Sequence, residues 1–189
     1  KVVPDVYKVK LVVDNQEFVH ELKVLKDPVS EGSLEDIKAQ VEVSLELRDA
    51  MNLTVNMINT IEVVRSELDS ILPKLTKKSD IEKAMALSKT AQSIAGFLYD
   101  IHLTGAREDA FRSPMQLYGR LSALASDLTG HGIDFKPTDQ QRDVQAIFNK
   151  RLKVVEEKFQ KFINKEVSEL NTQLKKSKLK IDTDKKIKM

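Results

Sequence analysis

The chain contains no cysteine, so disulfides, thiol nucleophiles and thiolate metal sites are all excluded. Glycine is also scarce, with six in 189 residues. None of the six forms part of a GxGxxG, GxSxG or P-loop motif, which removes the usual sequence signs of dinucleotide, hydrolase or phosphate sites. Cofactor-dependent chemistry therefore has no support in the sequence, and we expect no cofactor.

Charge of one sign and long apolar runs are missing as well. The formal net charge is only +2, so no strong field favours nucleic acid as a partner. No stretch of about 18 apolar residues is present, and we expect no membrane span. Aromatic residues make up 5% of the chain and tryptophan is absent, whereas 41% is hydrophobic and 32% is charged. This composition is typical of long helices with exposed, charged outer faces.

The first 28 residues predict a β-hairpin. Apolar and polar residues alternate over residues 6–13 and again over residues 18–24, and Asp14, Asn15 and Gln16 between them are typical turn residues. A two-stranded hairpin alone is marginally stable in water. Either the hairpin packs on the helices, or it is the end of a β-sandwich whose earlier strands are missing from this sequence. Because the chain begins in this strand-like stretch, we interpret it as a piece of a longer polypeptide.

Residues 29–176 predict an antiparallel, up-and-down four-helix bundle, giving a mainly α fold overall. Ser33, Ser79 and Thr138 are candidate N-caps, Pro73 ends the first helix, and Gly130-His131-Gly132 ends the third. Residues 177–189 form a lysine-rich tail that could pair with the hairpin edge as a short strand or stay disordered.

The first long helix carries an apolar seam with polar residues set into it. The seam is predicted from helical spacing at the following positions: Leu34, Ile37, Val41, Leu45, Met51, Val55, Ile58, Ile61, Leu68 and Leu72. Arg48, Asn52, Asn56 and Asn59 lie close to the same face. Two interpretations stay open: a buried or half-buried network that fixes helix register, or a polar patch that binds a partner.

A catalytic or metal site finds little support in the residues present. His20, His102 and His131 show no paired ligand spacing. The carboxylates of the fourth helix lie among lysines, which is typical of a solvated helix face. We therefore predict no catalytic residue and no metal site. Aromatic residues Tyr99, Phe111, Tyr118 and Phe135 could instead line a groove between the second and third helices that holds a peptide or glycan.

Several segments resemble a known family. Residues 6–14 (VYKVKLVVD) and 22–28 (LKVLKDP) are similar to the end of an Ig-like segment in bacterial BNR-repeat or Vps10/sortilin-like β-propeller proteins, which are sialidase-like glycosyl hydrolases. Residues 47–49 with the asparagines that follow, 112–117 (RSPMQL), 120–126 (RLSALAS) and 137–140 (PTDQ) resemble the helical C-terminal region of those proteins.

The resemblance implies an accessory C-terminal region of an exported protein, located outside the cell or in the cell envelope of a bacterium. The hydrolase activity of that family belongs to the propeller, and no catalytic residue can be carried onto this sequence. We therefore predict a non-catalytic structural or interaction module. Its partners would be the preceding domains of the same polypeptide or another protein subunit; the alternative is a peptide- or glycan-binding module.

Overall fold

A computed structural model describes residues 1–103, 105, 108–129 and 134–185. Strands β1 (Val6–Val13) and β2 (Gln16–Lys23) come first. The helices that follow are, in chain order, α1 (Leu34–Ile71), α2 (Lys78–Leu98), the single turn α3 (Asp109–Arg112), α4 (Leu117–Thr129), α5 (Asp139–Lys161) and α6 (Ser168–Leu174). The predicted glycine-flanked end of the third helix at 130–132 lies outside the described residues.

The predicted hairpin is present and its turn explains its register. Asp14 and Asn15 both adopt positive φ angles, 47° and 63°, which a two-residue hairpin loop requires and which these residue types tolerate. The strands pair antiparallel, with Val13 opposite Gln16 and Leu11 opposite Phe18.

Side-chain caps fix the start of both long helices, as the sequence predicts. The Ser33 hydroxyl accepts a hydrogen bond from the Asp36 amide, and the Asp36 carboxylate accepts one from the Ser33 amide, both at 3.0 Å. Thr138 and Gln141 form the same reciprocal pair ahead of α5. The prediction for α2 is wrong, because that helix begins at Lys78 and its N-cap residue is Lys77 rather than Ser79.

The buried stripe of α1 differs from the predicted seam in its first half. Leu34 and Leu45 are exposed, whereas Ala50 and Thr54 are buried. Thr54 is accommodated because its hydroxyl donates to the Ala50 carbonyl at 2.8 Å. With Ala50 and Thr54 included, the buried positions of α1 follow one another at alternating steps of four and three residues. This is the spacing of helices that pack side by side. The stripe consists of Val43, Leu47, Ala50, Thr54, Met57, Ile61, Val64, Leu68 and Ile71.

Specific contacts give the direction of each helix relative to α1. The start of α1 contacts the end of α4, where the Gln40 side chain donates to the Leu128 carbonyl at 2.6 Å. In its second half α1 meets the end of α2, where Tyr99 donates to Glu62 at 3.0 Å. Helices α2 and α4 therefore both run opposite to α1 and lie one after the other along it.

The last helix runs in the same direction as α1. Gln145, near the start of α5, donates to Glu46 near the start of α1 at 2.7 Å. At the other end, Glu169 of α6 pairs with Lys83 in the first turns of α2. The helices therefore form three rods: α1, the pair α2 and α4, and the continuous run from α5 to α6.

The mainly helical fold, with four main helices in a bundle and an N-terminal β-hairpin, is confirmed. The course of the chain differs from simple up-and-down alternation, because α4 runs in the same direction as α2. The physical reason is length. Helix α1 has 38 residues and spans about 57 Å, whereas α2 and α4 have 21 and 13, so neither can cover α1 alone.

A π-helical segment, residues 162–167, joins α5 to α6 without interrupting the rod. The buried positions along this rod step by three or four residues except between Phe162 and Val167, which are five apart. A π turn accommodates one extra residue. It therefore keeps both ends of the stripe facing α1 and α2, where an uninterrupted α-helix would rotate the second half of the stripe away from the core.

The described part of the lysine-rich tail, up to residue 185, packs on the bundle. The Asn171 side chain accepts from the Ile181 amide at 2.7 Å and donates to the Ile181 carbonyl at 3.0 Å, and the Ile181 side chain is buried. A left-handed residue, Lys178 at φ 57°, turns the chain back toward α6. The predicted pairing of the tail with the hairpin edge is wrong, because Ile181 is hydrogen-bonded to Asn171 of α6.

Because the π turn contains one extra residue, we predict that the rod from α5 to α6 tolerates deletion of a single residue only within residues 162–167. Deleting Asn164 should convert the π turn to α-helix with the core stripe intact, and thermal unfolding followed by circular dichroism should show a midpoint close to the wild type. As a control, deleting Lys153 should displace at least Val155, Phe159 and Phe162. Their burial contributes about 4–9 kcal/mol, a large part of the ~5–15 kcal/mol that holds a domain folded. Equal loss of stability in both deletions would contradict this role.

Candidate interaction surfaces

The predicted polar patch lies on the outer face of α1. Arg48, Asn52, Asn56 and Asn59 are all exposed, on the side opposite the buried stripe. Arg48 pairs with its neighbour Asp49 at 2.7 Å. The interpretation of these residues as a buried or half-buried register network is therefore wrong, because the true stripe passes through Ala50 and Thr54 instead. A role for the exposed patch in binding stays a prediction.

Two buried glutamines make hydrogen bonds from one helix to another. Gln40 and Gln145 are each about 95% buried and bond to Leu128 and Glu46 as described above. Neither glutamine is among the residues predicted from the sequence. The signal that could have found them is spacing: Gln40 lies three residues before the stripe of α1, and Gln145 lies three residues before Phe148 in the stripe of α5.

The four aromatic residues predicted to line a groove do not do so. Tyr99 is half-buried between α1 and α2, and this burial, reinforced by its hydrogen bond to Glu62, raises the pKa of its phenol. Phe111 is 91% exposed, and Tyr118 and Phe135 are exposed as well. The predicted aromatic groove is wrong, because none of these side chains lines the hollow that the structure contains between its helices.

That hollow is a surface groove where α2 ends and α4 begins, and we call it the α2/α4/α5 groove. Its volume is about 660 Å³. It exists because the rod made of α2 and α4 is broken there, leaving the middle of α5 uncovered. Its apolar lining includes Phe97, Met115, Ile147 and Val154, each about half exposed. A shallower hollow shares Pro114, Met115 and Arg120 with it and extends it toward Val144 and Phe148.

Basic side chains surround this apolar lining. Arg120, Lys150, Arg151 and Lys158 all contribute to the groove, and no carboxylate of a described side chain lines it. The shallower hollow that extends it is lined by Asp127 as well. The Lys158 ammonium lies 4.4 Å from the centre of the Phe97 ring, a cation–π contact. Arg120 donates to the Met115 carbonyl at 2.7 Å, which fixes its guanidinium at the groove.

The hairpin offers a second exposed surface, and one of its two faces is apolar. Among the described residues the two strands pair with each other, and none of their side chains belongs to the core of the bundle. Val9, Leu11 and Val13 of β1 share one face with Phe18 and Leu22 of β2, and the three β1 residues are each about half exposed. On the other face Val12 and Val19 lie among charged residues, which are Lys8, Lys10, Glu17, Glu21 and Lys23. Phe18, Val19 and Leu22 of β2 are exposed to a similar degree.

A polar joint connects the hairpin to the bundle. The Lys1 ammonium contacts the Asp134 carboxylate and donates to Gln40 at 2.8 Å. Asp134 also bonds to Ser30. Gly32 packs so closely that a Cβ atom there would overlap the Asp134 carbonyl, so only glycine fits. The hydrogen bond from Lys1, followed by that from Ser30, lowers the pKa of Asp134.

Metal-ligating residues do not converge within the described ranges: no group of three or more histidine, aspartate or glutamate side chains is placed to hold an ion. His20 and His102 are exposed, and His131 lies outside the described residues. None of the helices in the described part of the chain combines the length and apolarity needed to cross a bilayer.

Comparison with protein-family models, with curated proteins and with solved structures finds no match for this chain. The resemblance to β-propeller proteins therefore stays a prediction, and function has to be argued from the surfaces described above.

From the contacts of Asp134 with Lys1 and Ser30 we predict that Asp134 contributes to the free energy of unfolding in a pH-dependent way. Because its pKa in the folded chain lies below the ordinary value of 3.8, the ionised carboxylate stabilises the fold above that pH, and this contribution is lost as the pH falls through the lowered pKa. Asp134→Asn should lower the thermal midpoint at pH 7, and its difference from the wild type should shrink in acid. Asp69→Asn, which alters an exposed carboxylate on α1, serves as the control. A difference that is independent of pH would contradict the prediction.

Proposed function

We propose that this chain is a non-catalytic interaction module, the C-terminal accessory region of a larger exported bacterial protein with a β-propeller, located outside the cell or in the cell envelope. The observation that carries the proposal is the hairpin, one face of which exposes apolar side chains of both strands. Isolated two-stranded hairpins are marginal in water. A β-rich neighbouring domain of the same polypeptide, with Ig-like character, would cover this face and continue the sheet.

The separation between hairpin and core supports this proposal. The helices supply the core cluster, and the joint at Lys1, Gly32 and Asp134 holds the hairpin at the end of the bundle where α1 begins. Such an arrangement suits a rigid helical element that is fixed to a β domain through a small, specific contact. An exposed apolar patch with a polar surround is typical of interaction sites.

A second candidate function is peptide or glycan binding. The α2/α4/α5 groove favours a peptide over a glycan, because Phe97 is the one aromatic residue among its lining side chains and the rest of the apolar lining is aliphatic. This candidate uses a different surface from the hairpin, so the two roles are compatible in one module.

Hydrogen exchange tests whether the hairpin is a docking element. In the 189-residue chain alone the amides of β1 and β2 should exchange rapidly, whereas in a longer polypeptide that includes the β-rich neighbour they should become protected. Amides of α1 serve as the control and should be protected in both. Equal exchange of the hairpin in both proteins, or a gene that encodes no β-rich domain before this region, would contradict the proposal.

Removal of residues 1–27 tests the autonomy of the bundle. The shortened protein should still unfold cooperatively on heating, with a lower midpoint because the Lys1 contacts to Asp134 and Gln40 are lost. Loss of the cooperative transition would show that the hairpin is part of the folding unit.

A further inference from the structure

The basic residues of the α2/α4/α5 groove contrast with several cations elsewhere on the helices that pair with an acidic residue. Arg65 pairs with Glu62, Lys78 with Glu82 and Lys83 with Glu169. Within the described part of the chain, Arg120, Lys150, Arg151 and Lys158 make no salt bridge.

The local sequence shows why these cations stay unpaired. The residues three and four positions away from Lys150 on α5 are Ala146, Ile147, Lys153 and Val154. Those around Arg151, Lys158 and Arg120 are likewise uncharged or basic. Intrahelical ion pairs need an acid at one of these positions. The helices therefore leave four positive charges around one apolar groove without an intrahelical acidic partner, and carboxylates of another molecule would complement them.

The dimensions of the groove match an α-helix. From Val144 to Lys158 the exposed face of α5 covers 15 residues and rises about 21 Å, which equals roughly four helical turns. Ile147, Val154 and Lys158 lie on one face of α5 at steps of seven and four residues. Apolar side chains of a partner helix at i, i+3 or i+4, and i+7 would pack against such a face.

The half-exposed lining favours a protein segment over a small amphiphile. Sites for small ligands bury most of the ligand in a concave cavity. Here Met115, Ile147 and Val154 remain about half exposed on an open surface, which a fatty acyl chain would leave partly in contact with water. A helix with one apolar face and acidic flanks would cover these residues and place carboxylates beside the four cations.

We propose that the α2/α4/α5 groove binds an acidic amphipathic helix of a partner protein. Phe97, Met115, Ile147 and Val154 receive its apolar face, and Arg120, Lys150, Arg151 and Lys158 pair with its carboxylates. This proposal does not depend on the hairpin, so either one can fail without the other.

A labelled synthetic peptide of about 18 residues tests the proposal by fluorescence anisotropy. Its apolar face carries leucines at i, i+3, i+4 and i+7 spacing, and glutamates occupy the other positions. We expect it to bind the 189-residue chain, more weakly as salt is raised. A second peptide with lysine in place of every glutamate should bind at least roughly tenfold more weakly.

Variants of the chain locate the binding site. Lys150→Glu with Arg151→Glu should weaken binding of the acidic peptide at least roughly tenfold and should improve binding of the basic peptide. Ile147→Ser should weaken both. A matched double variant at exposed lysines outside the groove, Lys74→Glu with Lys77→Glu, should leave binding unchanged. Thermal midpoints of all variants should stay close to the wild type, because each altered side chain is exposed.

Four results would overturn the proposal. The first is an affinity for the acidic peptide weaker than about 1 mM, and the second is equal binding of both peptides. The third is unchanged binding by the Lys150 and Arg151 double variant. The fourth is evidence that the groove has another occupant. The chain would then sediment with phosphatidylglycerol vesicles or self-associate in the ultracentrifuge. The double variant would abolish that association, and the acidic peptide would not compete with it.

Discussion

Packing along the buried stripe of α1 is the constraint on which the rest of the structure depends. From Val43 to Ile71 its positions alternate in steps of four and three residues, so one face of a 38-residue helix has to be covered along its length. The run from α5 to α6 is long enough to do this. Helices α2 and α4 do it jointly, one after the other in the same direction, with a gap between them.

The gap has a physical consequence for binding. A continuous third rod would cover Ile147 and Val154 of α5, whereas the break exposes them beside the ends of α2 and α4. Basic residues without local acidic partners surround this site, so apolar surface and positive charge coincide there. The apolar face of the hairpin is exposed for a different reason, because none of the strand side chains belongs to the core of the bundle. Two surfaces suited to association thus lie on separate parts of the chain.

Local signals in the sequence predicted local structure well. The hairpin turn at Asp14 and Asn15 and the N-caps Ser33 and Thr138 depend on neighbouring residues, and all are present. The predicted seam of α1 failed where Ala50 and Thr54 are buried, since a search for large apolar residues passes over both. The asparagines near that seam consequently face solvent, and buried polar contacts fall to Gln40 and Gln145 instead.

The sequence by itself determined the mainly helical class, the hairpin and the starts of the long helices, because propensity, capping and turn chemistry act over a few residues. Only the tertiary structure decided that α4 follows the direction of α2, that a π turn keeps the last stripe in register, and that the groove forms at the break rather than among Tyr99, Phe111, Tyr118 and Phe135. These features depend on matching helix lengths and faces across the whole bundle, which no local pattern encodes.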